Sequence, residues 1–384
     1  MVGGFRPREP PSTRKSPGGG ERSLSGGSSH TITQVRPRPE RLQRLPQQYF
    51  VALLGRVAAA AAQDGPPLVD LGRGNPETGP PPHVIEALRA AALEPTVHGY
   101  APIRGVPRAK EAIAARYRDV YGVELDPETE VALVPGTKTA IVELALSLCD
   151  EGDTLLVPDP YYPDYPSGPA LAGARMETVP LRAAEGWSPD LDAAPDAAAL
   201  YLNYPSNPCA VCAPPGTFES AVRWAQRTGG AVVHDAAYMD LVYDGREPQS
   251  FLATPGAKDV GVEMWSMSKT YGMAGWRVGF VLGNAEIVER INLLNDHNRV
   301  GIFAPLQAAA IAALEGPQDS VAERVAAYGR RRDVLADALP EPIVCEGTFF
   351  VWLRLPAGLT ADALLREHRV AVAPGEGFGP SGAG

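Results

Sequence analysis

The feature that most constrains this chain is an alternation of short apolar strands with helical segments. Helical patterns, such as those at 217–228 and 286–295, separate several of the strands. The strand-like segments lie at 154–157, 175–179, 199–203, 231–234, 262–266 and 277–282. Such an alternation is typical of a mainly parallel sheet sandwiched by helices. The sequence therefore predicts an α/β fold.

Weaker patterns flank this central region. They predict helices at 49–62, 83–93, 106–121 and 139–148, a short strand at 69–71, and a strand at 348–353 after long Ala/Arg-rich helices that begin near residue 304. At roughly 100–200 residues a domain, 384 residues allow two or three domains. We predict an N-terminal arm (41–74) that contributes to a small domain, a large domain (75–300), and a smaller α+β C-terminal domain (301–384).

Residues 1–40 differ from the rest in composition. They are rich in Gly, Pro, Ser and Arg, and residues 1–44 hold nine Lys and Arg against three Glu. We predict a disordered basic tail, because such a segment has too little apolar surface to form a core. A transit peptide has a similar composition, and a misplaced start codon would also explain the segment.

Charge and hydropathy argue against two kinds of partner. The net charge is −10, which disfavours a nucleic-acid surface. No apolar run approaches the roughly 20 residues that a membrane span needs. We therefore expect a protein that binds neither nucleic acid nor membrane.

The cysteines and histidines do not predict a metal site. Cys209 and Cys212 form a C-x-x-C pair, but a zinc ribbon needs a second pair. A redox pair and a turn of small residues both remain open. No spacing demands disulfides, so we expect a reducing cytoplasm. His98, His234 and His297 lack the spacing of metal ligands, so we expect no metal.

One lysine stands in a pattern suited to a phosphorylated cofactor. Lys269 follows an apolar strand, with Ser266 three residues before it and Arg277 eight after. A hydroxyl and a guanidinium suit a phosphate dianion. A surface lysine on a loop is the alternative for Lys269 alone, and the flanking residues disfavour it.

The stretch at 265–279 resembles the lysine motif of class I aminotransferases, which are fold-type I enzymes dependent on pyridoxal phosphate (PLP). Within that group the chain is most similar to the methionine-salvage (ketomethylthiobutyrate) and LL-diaminopimelate aminotransferases, from about residue 45 to 384. The resemblance implies a large PLP-binding domain, a smaller α+β domain, and Lys269 joined to the cofactor as a Schiff base.

The resemblance also assigns contacts to the cofactor ring. It implies that Asp235 pairs with the pyridinium nitrogen and that Tyr238 and Asn207 donate to the phenolic oxygen. A helix N-cap is the alternative role for Asp235. The turn that carries Asn207 departs from the family pattern, because Cys209 replaces Thr and Ala210 replaces Gly. If the turn needs a positive φ, Ala210 strains it or shifts it.

The phosphate is expected at the start of a helix. Gly136, Thr137 and Lys138 match the family's phosphate loop, where free backbone N–H groups and the helix dipole attract an anion. A plain N-terminal turn is the alternative. The interpretation as a phosphate loop is supported only if Ser266 and Arg277 lie next to it.

Aromatic residues complete the expected site. By resemblance, Tyr162 covers the face of the cofactor ring, whereas we interpret Tyr161 and Tyr165 as packing residues. Tyr100 is expected to reach the phosphate of a neighbouring subunit, which implies a homodimer with shared active sites. Gly74 is expected to place its backbone N–H near the substrate carboxylate.

One family residue is not found. Relatives anchor the substrate carboxylate with an arginine shortly after a segment that resembles 373–384, and this sequence stops at Gly384. We expect a truncated C-terminus, either in a fragment or in a degenerate or frameshifted gene. Alternatively, Arg73 or Arg299 takes over the carboxylate.

Three functions remain open. The leading one is transamination between an amino acid with a methionine-like or other neutral side chain and a 2-oxo acid, with glutamine or glutamate as possible donor. The second is a PLP-dependent C–S β-lyase, which shares the fold and most cofactor residues. The third is a PLP-binding but inactive homologue.

Overall fold

A seven-stranded sheet organises the middle of the chain. The structure is a computed structural model that describes residues 37–383, so the predicted basic tail lies outside the described residues except at its end. From Pro39 onward the described chain forms one compact unit. The strands are β1 Val69–Asp70, β2 Val131–Val134, β3 Thr154–Asp159, β4 Arg175–Pro180, β5 Ala199–Asn203, β6 Ala231–Asp235, β7 Gly261–Ser266, β8 Gly279–Gly283 and β9 Val370–Ala371.

Helices cover this sheet and continue beyond it. They are α1 Glu40–Gln43, α2 Tyr49–Ala61, α3 Pro82–Ala92, α4 Pro107–Tyr121, α5 Thr137–Leu148, α6 Ser167–Ala172, α7 Thr217–Thr228, α8 Ala257–Val260, α9 Met267–Thr270, α10 Ala285–Asn298, α11 Ala304–Glu315, α12 Asp319–Ala338 and α13 Ala361–Glu367. In the described chain, no helix is both long and apolar enough to cross a membrane.

The sheet is mainly parallel, in the order β2-β8-β7-β6-β5-β3-β4. Only β8 runs against its neighbours β2 and β7. Every residue of β5 and β7 is buried, as expected where helices cover both faces of a parallel sheet. Side chains of successive residues enter separate cores: Leu200 and Val232 lie in one, Tyr201 and Val233 in the other. The predicted α/β fold is confirmed.

Most predicted elements form within a few residues of the expected bounds. The strand expected at 277–282 begins only at Gly279, because Arg277 has a left-handed φ of 57° that extended backbone does not allow. The sequence did not predict β2, whose four apolar residues are too few for a periodic pattern.

The strand predicted at 348–353 is wrong. Thr348 has a φ of 69°, and its Oγ1 accepts a hydrogen bond from the backbone N–H of Phe350 at 2.9 Å. A left-handed residue interrupts the pleat, and this local hydrogen bond replaces a ladder contact. Just before it, Gly347 makes an isolated bridge to Val242.

A second, two-stranded sheet joins the two ends of the described chain. β1 and β9 pair in parallel. From α2, the side chains of Leu53 and Val57 pack in one buried cluster with Leu365 and Ala371. These contacts agree with an N-terminal arm that belongs to the small domain. The division at 74 and 300 stays a prediction.

Candidate active site

The carboxyl ends of three neighbouring strands bring polar side chains to one edge of the large sheet. β5, β6 and β7 run in parallel and end at Asn203, Asp235 and Ser266. Ligands of open α/β sheets bind at this edge. The predicted site residues cluster here because each motif directly follows a strand.

Lys269 lies in the short helix α9, directly after β7. Its Nζ donates a hydrogen bond of 3.3 Å to the carbonyl oxygen of Gly74 and lies 5.2 Å from the centre of the Phe349 ring. Burial and, to a smaller extent, the charge of Arg277 lower the pKa of Lys269 to about 8, against the opposing effect of Asp235. A substantial fraction of this amine is therefore neutral near physiological pH.

Asp235 is a buried carboxylate at the end of β6. Its Oδ2 accepts from the Tyr165 hydroxyl at 3.0 Å, and its Oδ1 accepts from the Ala237 backbone N–H at 3.2 Å. Burial raises the pKa of Asp235, while these two hydrogen bonds lower it. The interpretation of Tyr165 as a packing residue was incomplete, because its hydroxyl also holds Asp235. No local pattern links residues 70 positions apart.

The turn with Asn207 is tied to the end of β6. Asn203 Nδ2 donates to the Asp235 carbonyl oxygen at 2.8 Å, and Asn203 Oδ1 accepts from the backbone N–H of Asn207 at 2.6 Å. Burial raises the pKa of the Tyr238 hydroxyl well above its ordinary value, and the nearby Asn207 side chain opposes this shift. Ala210 adopts a φ of 60°, so the turn keeps the left-handed conformation that glycine would adopt at lower cost.

The predicted phosphate loop lies against Arg277. Gly136 caps α5 with a φ of 81°, and a side chain there would meet the guanidinium, with Arg277 Cζ 2.8 Å from a Cβ atom. Arg277 donates to the carbonyl oxygen of Pro135 at 3.0 Å. Thr137, the first residue of α5, is half-buried. The N-terminus of α5 and the guanidinium thus face one another without a side chain between them.

Two serines lie beside this loop. The hydroxyl of Ser266 donates to the Ser268 hydroxyl at 2.9 Å and accepts from the Ser268 backbone N–H at 3.1 Å. Both residues are buried. The sequence interpretation singled out Ser266 and missed Ser268.

Lys138 and Tyr162 meet at a buried carboxylate. Lys138 Nζ lies 2.8 Å from Asp164 Oδ2, and Gln48 Nε2 donates to Asp164 Oδ1 at 2.8 Å. The Tyr162 ring packs 6.0 Å from Phe50 and is half-buried. Burial raises the pKa of Tyr162 well above its ordinary value. Asp164 and Gln48 were not predicted, since only the fold brings α2 to this edge.

Three predicted residues have other surroundings. The Tyr100 side chain is 91% exposed, so it is not buried among the site residues of its own chain. Arg299 forms an ion pair with Glu143 of α5 at 2.8 Å, with both side chains largely buried. Arg73 is exposed and precedes Gly74, whose carbonyl contacts Lys269.

The described cysteines are all unpaired and buried. Among residues 37–383, no group of three or more His, Cys, Asp and Glu side chains is arranged to hold a metal ion. Cys209 and Cys212 lie in the turn after Asn207.

Comparison with known proteins identifies the class. The sequence matches the aminotransferase class I and II family over residues 66–384. It is 45% identical over 356 residues to the L-glutamine–4-(methylsulfanyl)-2-oxobutanoate aminotransferase of Bacillus subtilis, covering 89% of each chain. It is 39% identical to the LL-diaminopimelate aminotransferase of Desulforudis audaxviator, covering 90% of this chain and 91% of that protein.

Solved structures agree. Substrate-bound BacF of Bacillus subtilis superposes with a TM-score of 0.85 at 38% identity, covering 91% of this chain and 92% of that one. The chain therefore belongs to the class I and II aminotransferases and is an aminotransferase of fold type I, as the sequence predicted.

This family implies PLP as cofactor, and the site fits it. Asn207 Oδ1 is buried and has no hydrogen-bond partner in the part of the chain that the structure describes. The Asn207 amide therefore has hydrogen-bonding capacity left over for a ligand, and the amide orientation decides whether its oxygen or its nitrogen faces that ligand. The glycine-capped helix facing Arg277 suits a phosphate, and the buried Asp235 suits a protonated ring nitrogen.

Proposed function

We propose that this chain transfers amino groups with PLP between an amino acid with a methionine-like or other neutral side chain and a 2-oxo acid, with glutamine or glutamate as donor. The observation that carries the proposal is the convergence of Lys269, Asp235 and Asn207 at one sheet edge. The 45% identity to a glutamine-dependent relative supports the donor and the sulfur-containing partner.

PLP supplies an aldehyde carbon that binds the substrate amine and a ring that accepts the electron pair of the Cα–H bond. In the proposed site, Lys269 would hold the cofactor until the substrate amine displaces it. Its amine would then be free to act on the substrate. As a neutral amine, Lys269 Nζ would take the Cα proton and deliver it to the carbon that carried the cofactor's aldehyde, so that the amino group stays with the cofactor when the 2-oxo acid leaves. The lowered pKa of about 8, caused mainly by burial, raises the neutral fraction of the amine near neutral pH.

The other residues hold the ring and the phosphate. Asp235, fixed by its two hydrogen-bond donors, keeps the ring nitrogen protonated. Asn207 and Tyr238 donate to the phenolic oxygen, and Tyr162 covers the ring. The phosphate is held by the Gly136, Thr137 and Lys138 loop together with Ser266 and Arg277.

We also propose how the substrate carboxylate is held. The backbone N–H of Gly74 faces it, and Arg73 is the better of the two candidate arginines. Arg299 is a poor candidate because it is already paired with Glu143. An unpaired guanidinium binds a carboxylate more readily than one that must first leave a buried partner.

The chain is further proposed to act as a homodimer in which Tyr100 reaches the phosphate in the neighbouring subunit. Its 91% exposure leaves the ring available for such a contact. The four unpaired cysteines support the expected location in a reducing compartment.

The first test is an absorbance titration of the PLP-loaded protein. Methionine, glutamine and glutamate are added one at a time without a 2-oxo acid, and the 2-oxo acid formed is identified by mass spectrometry. We expect the visible band to disappear with one equivalent of 2-oxo acid per site, and Lys269→Ala to show neither change.

Two outcomes would overturn the proposal. A band that persists with all the amino acids would remove the aminotransferase assignment for this chain. Pyruvate and ammonia released from a cysteine conjugate, without any 2-oxo acid acceptor, would identify a β-lyase instead.

A further inference from the structure

A second polar cluster lies directly behind the candidate site. His234 precedes Asp235 on β6, so the two side chains point to opposite faces of the sheet. His234 is fully buried, and its neighbour across the ladder is Glu263 of β7. His234 Nδ1 lies 2.6 Å from Glu263 Oε2, and His234 Nε2 lies 2.8 Å from the Tyr204 carbonyl oxygen.

The partners of Glu263 define its protonation. Oε1 accepts from the hydroxyls of Tyr117 at 2.6 Å and Ser250 at 3.0 Å, and Oε2 accepts from the Phe251 backbone N–H at 2.9 Å. With His234 as the fourth donor, all four lone-pair sites of a carboxylate are filled. The two hydroxyls and the backbone N–H stabilise the carboxylate form of Glu263, because each donates to a negatively charged oxygen.

A carbonyl oxygen only accepts, so His234 Nε2 donates to Tyr204, and one proton lies between His234 Nδ1 and Glu263 Oε2. With that proton on Nδ1 the pair is an imidazolium and a carboxylate, and the three other donors to Glu263 favour this arrangement. The ring is enclosed by Phe218 of α7, 4.9 Å away, and by Phe251.

The cluster reaches the site through the backbone of the turn that follows β5. Tyr204, which accepts from His234, begins the segment that leads to Asn207. Asn203 also holds this segment, because its Oδ1 accepts from the Asn207 backbone N–H while its Nδ2 donates to the Asp235 carbonyl oxygen. His234 and Asn203 thus fix both the turn that carries Asn207 and the strand end that carries Asp235.

We propose that His234 and Glu263 form a buried ion pair that positions Asn207 and places a fixed positive charge beside Asp235. His234 is a positioning residue, because it touches neither substrate nor cofactor. This inference rests on the proposed PLP site. A positive charge on His234 also lowers the pKa of Asp235, against the larger effect of burial, which raises it.

The ionisable groups around His234 are few. Glu263 faces it from β7, Asp235 is its neighbour on β6, and the Tyr117 hydroxyl of α4 reaches it only through Glu263. The hydroxyl of Tyr204 is turned away and donates to the Trp187 carbonyl oxygen. The aromatic rings that enclose His234 carry no charge.

The first test needs no cofactor. In protein labelled with ¹⁵N-histidine, the signals of His234 are assigned by their loss in His234→Gln. We expect both ring nitrogens to be protonated at neutral pH, in the cofactor-free as in the loaded protein. One unprotonated nitrogen would overturn the ion pair, whatever the fate of the proposed function.

The second test measures the bound cofactor. In His234→Gln we expect the dissociation constant of PLP to rise about tenfold. We also expect the pH midpoint of its visible absorbance to move up by about one unit, because Asn207 no longer holds the phenolic oxygen as well. kcat should fall while KM changes less than about twofold.

Tyr117→Phe is the matched control. It removes one hydroxyl from the other oxygen of Glu263 and leaves both contacts of His234, so the midpoint and the affinity should match wild type. An equal loss of stability in both variants without a shifted midpoint in His234→Gln would overturn the positioning role. A wild-type protein without any visible band would instead refute the proposed function.

Discussion

At the scale of single residues, the candidate site combines groups whose surroundings change their proton affinity. Burial lowers the pKa of the Lys269 amine and raises that of the Asp235 carboxyl. In both cases burial disfavours the charged form. Lys269 thereby becomes a usable base, whereas Asp235 depends on its hydrogen bonds and on neighbouring charge to stay ionised.

Lys269 should therefore react as a neutral amine at unusually low pH. Acylation of the cofactor-free protein, followed at Lys269 by mass spectrometry, should show a midpoint near pH 8. In the denatured protein the midpoint should return to about 10.4, since burial and the Arg277 charge are then lost. Equal midpoints in the two states would contradict the environment described for this lysine.

At the scale of secondary-structure elements, the site depends on how helices begin after strands. Gly136 (φ 81°, ψ 158°) and Gly216 (φ 84°, ψ −7°) cap α5 and α7. A Cβ atom on Gly136 would collide with Arg277, whereas nothing lies within 4 Å of one on Gly216. Alanine substitutions at the two glycines can therefore be compared. Both change the free energy of the backbone conformation, but only the one at Gly136 also fills the phosphate loop.

Gly136→Ala should lower both stability and cofactor retention. The conformation of Gly136 is one that almost only glycine adopts, which costs about 1–3 kcal/mol, and the methyl group displaces the guanidinium. Gly216→Ala should cost about 1–2 kcal/mol without loss of PLP affinity. Denaturant unfolding and PLP titration measure the two effects. Unchanged affinity in Gly136→Ala would place the phosphate elsewhere.

Asp240, in the loop of Tyr238, forms a buried ion pair with Arg116 of α4 and a hydrogen bond with the helix of Lys269. Asp240 Oδ1 accepts from Arg116 Nη2 and from the Tyr121 hydroxyl, each at 2.7 Å. Asp240 Oδ2 accepts from the Thr270 hydroxyl at 2.7 Å. Since Thr270 follows Lys269 directly, Asp240 restrains the position of α9.

Asp240→Ala should destabilise the protein by about 3–5 kcal/mol, because it leaves the buried Arg116 charge without its partner. The matched control is Glu77→Ala, which breaks the exposed pair with Arg331 and should cost about 1 kcal/mol or less. Chemical denaturation gives both values. Similar losses in the two variants would contradict the role of the buried pair.

At the scale of the whole molecule, exposed side chains near Tyr100 suggest where a second subunit binds. Val300 and Phe303 are 59% and 45% exposed, and the backbone of Gly301 lies against Pro102. Exposed apolar residues that lie together often mark protein interfaces. This surface includes the residue that we expect to serve the neighbouring site.

Mixing two inactive variants tests the shared site. Lys269→Ala and Tyr100→Phe subunits are unfolded together, refolded and assayed. A heterodimer regains one intact site if Tyr100 acts across the interface, so activity should recover to about a quarter of wild type by random pairing. Each variant refolded alone is the control. Absence of recovery despite dimers in sedimentation would place Tyr100 in its own subunit's site or outside both.

By itself, the sequence determined the fold class and the main candidate site residues. Alternating strands and helices specify a parallel sheet, and Lys269, Asp235 and Asn207 each stand in a motif just after a strand. Because parallel strands end at one edge, local motifs were enough to predict that these residues meet. The family comparisons confirm the class, and the roles of the individual residues stay predictions.

Only the tertiary structure decided which side chains support those residues. The contacts of Tyr165 with Asp235, of Glu263 with His234 and of Asp240 with Thr270 join positions far apart in the chain, and no local spacing encodes such pairs. The segment 348–353 shows the same limit, since its pattern suits a strand but Thr348 turns left-handed. Local pattern fixes what a segment can form, whereas long-range packing selects the partners that satisfy its buried polar groups.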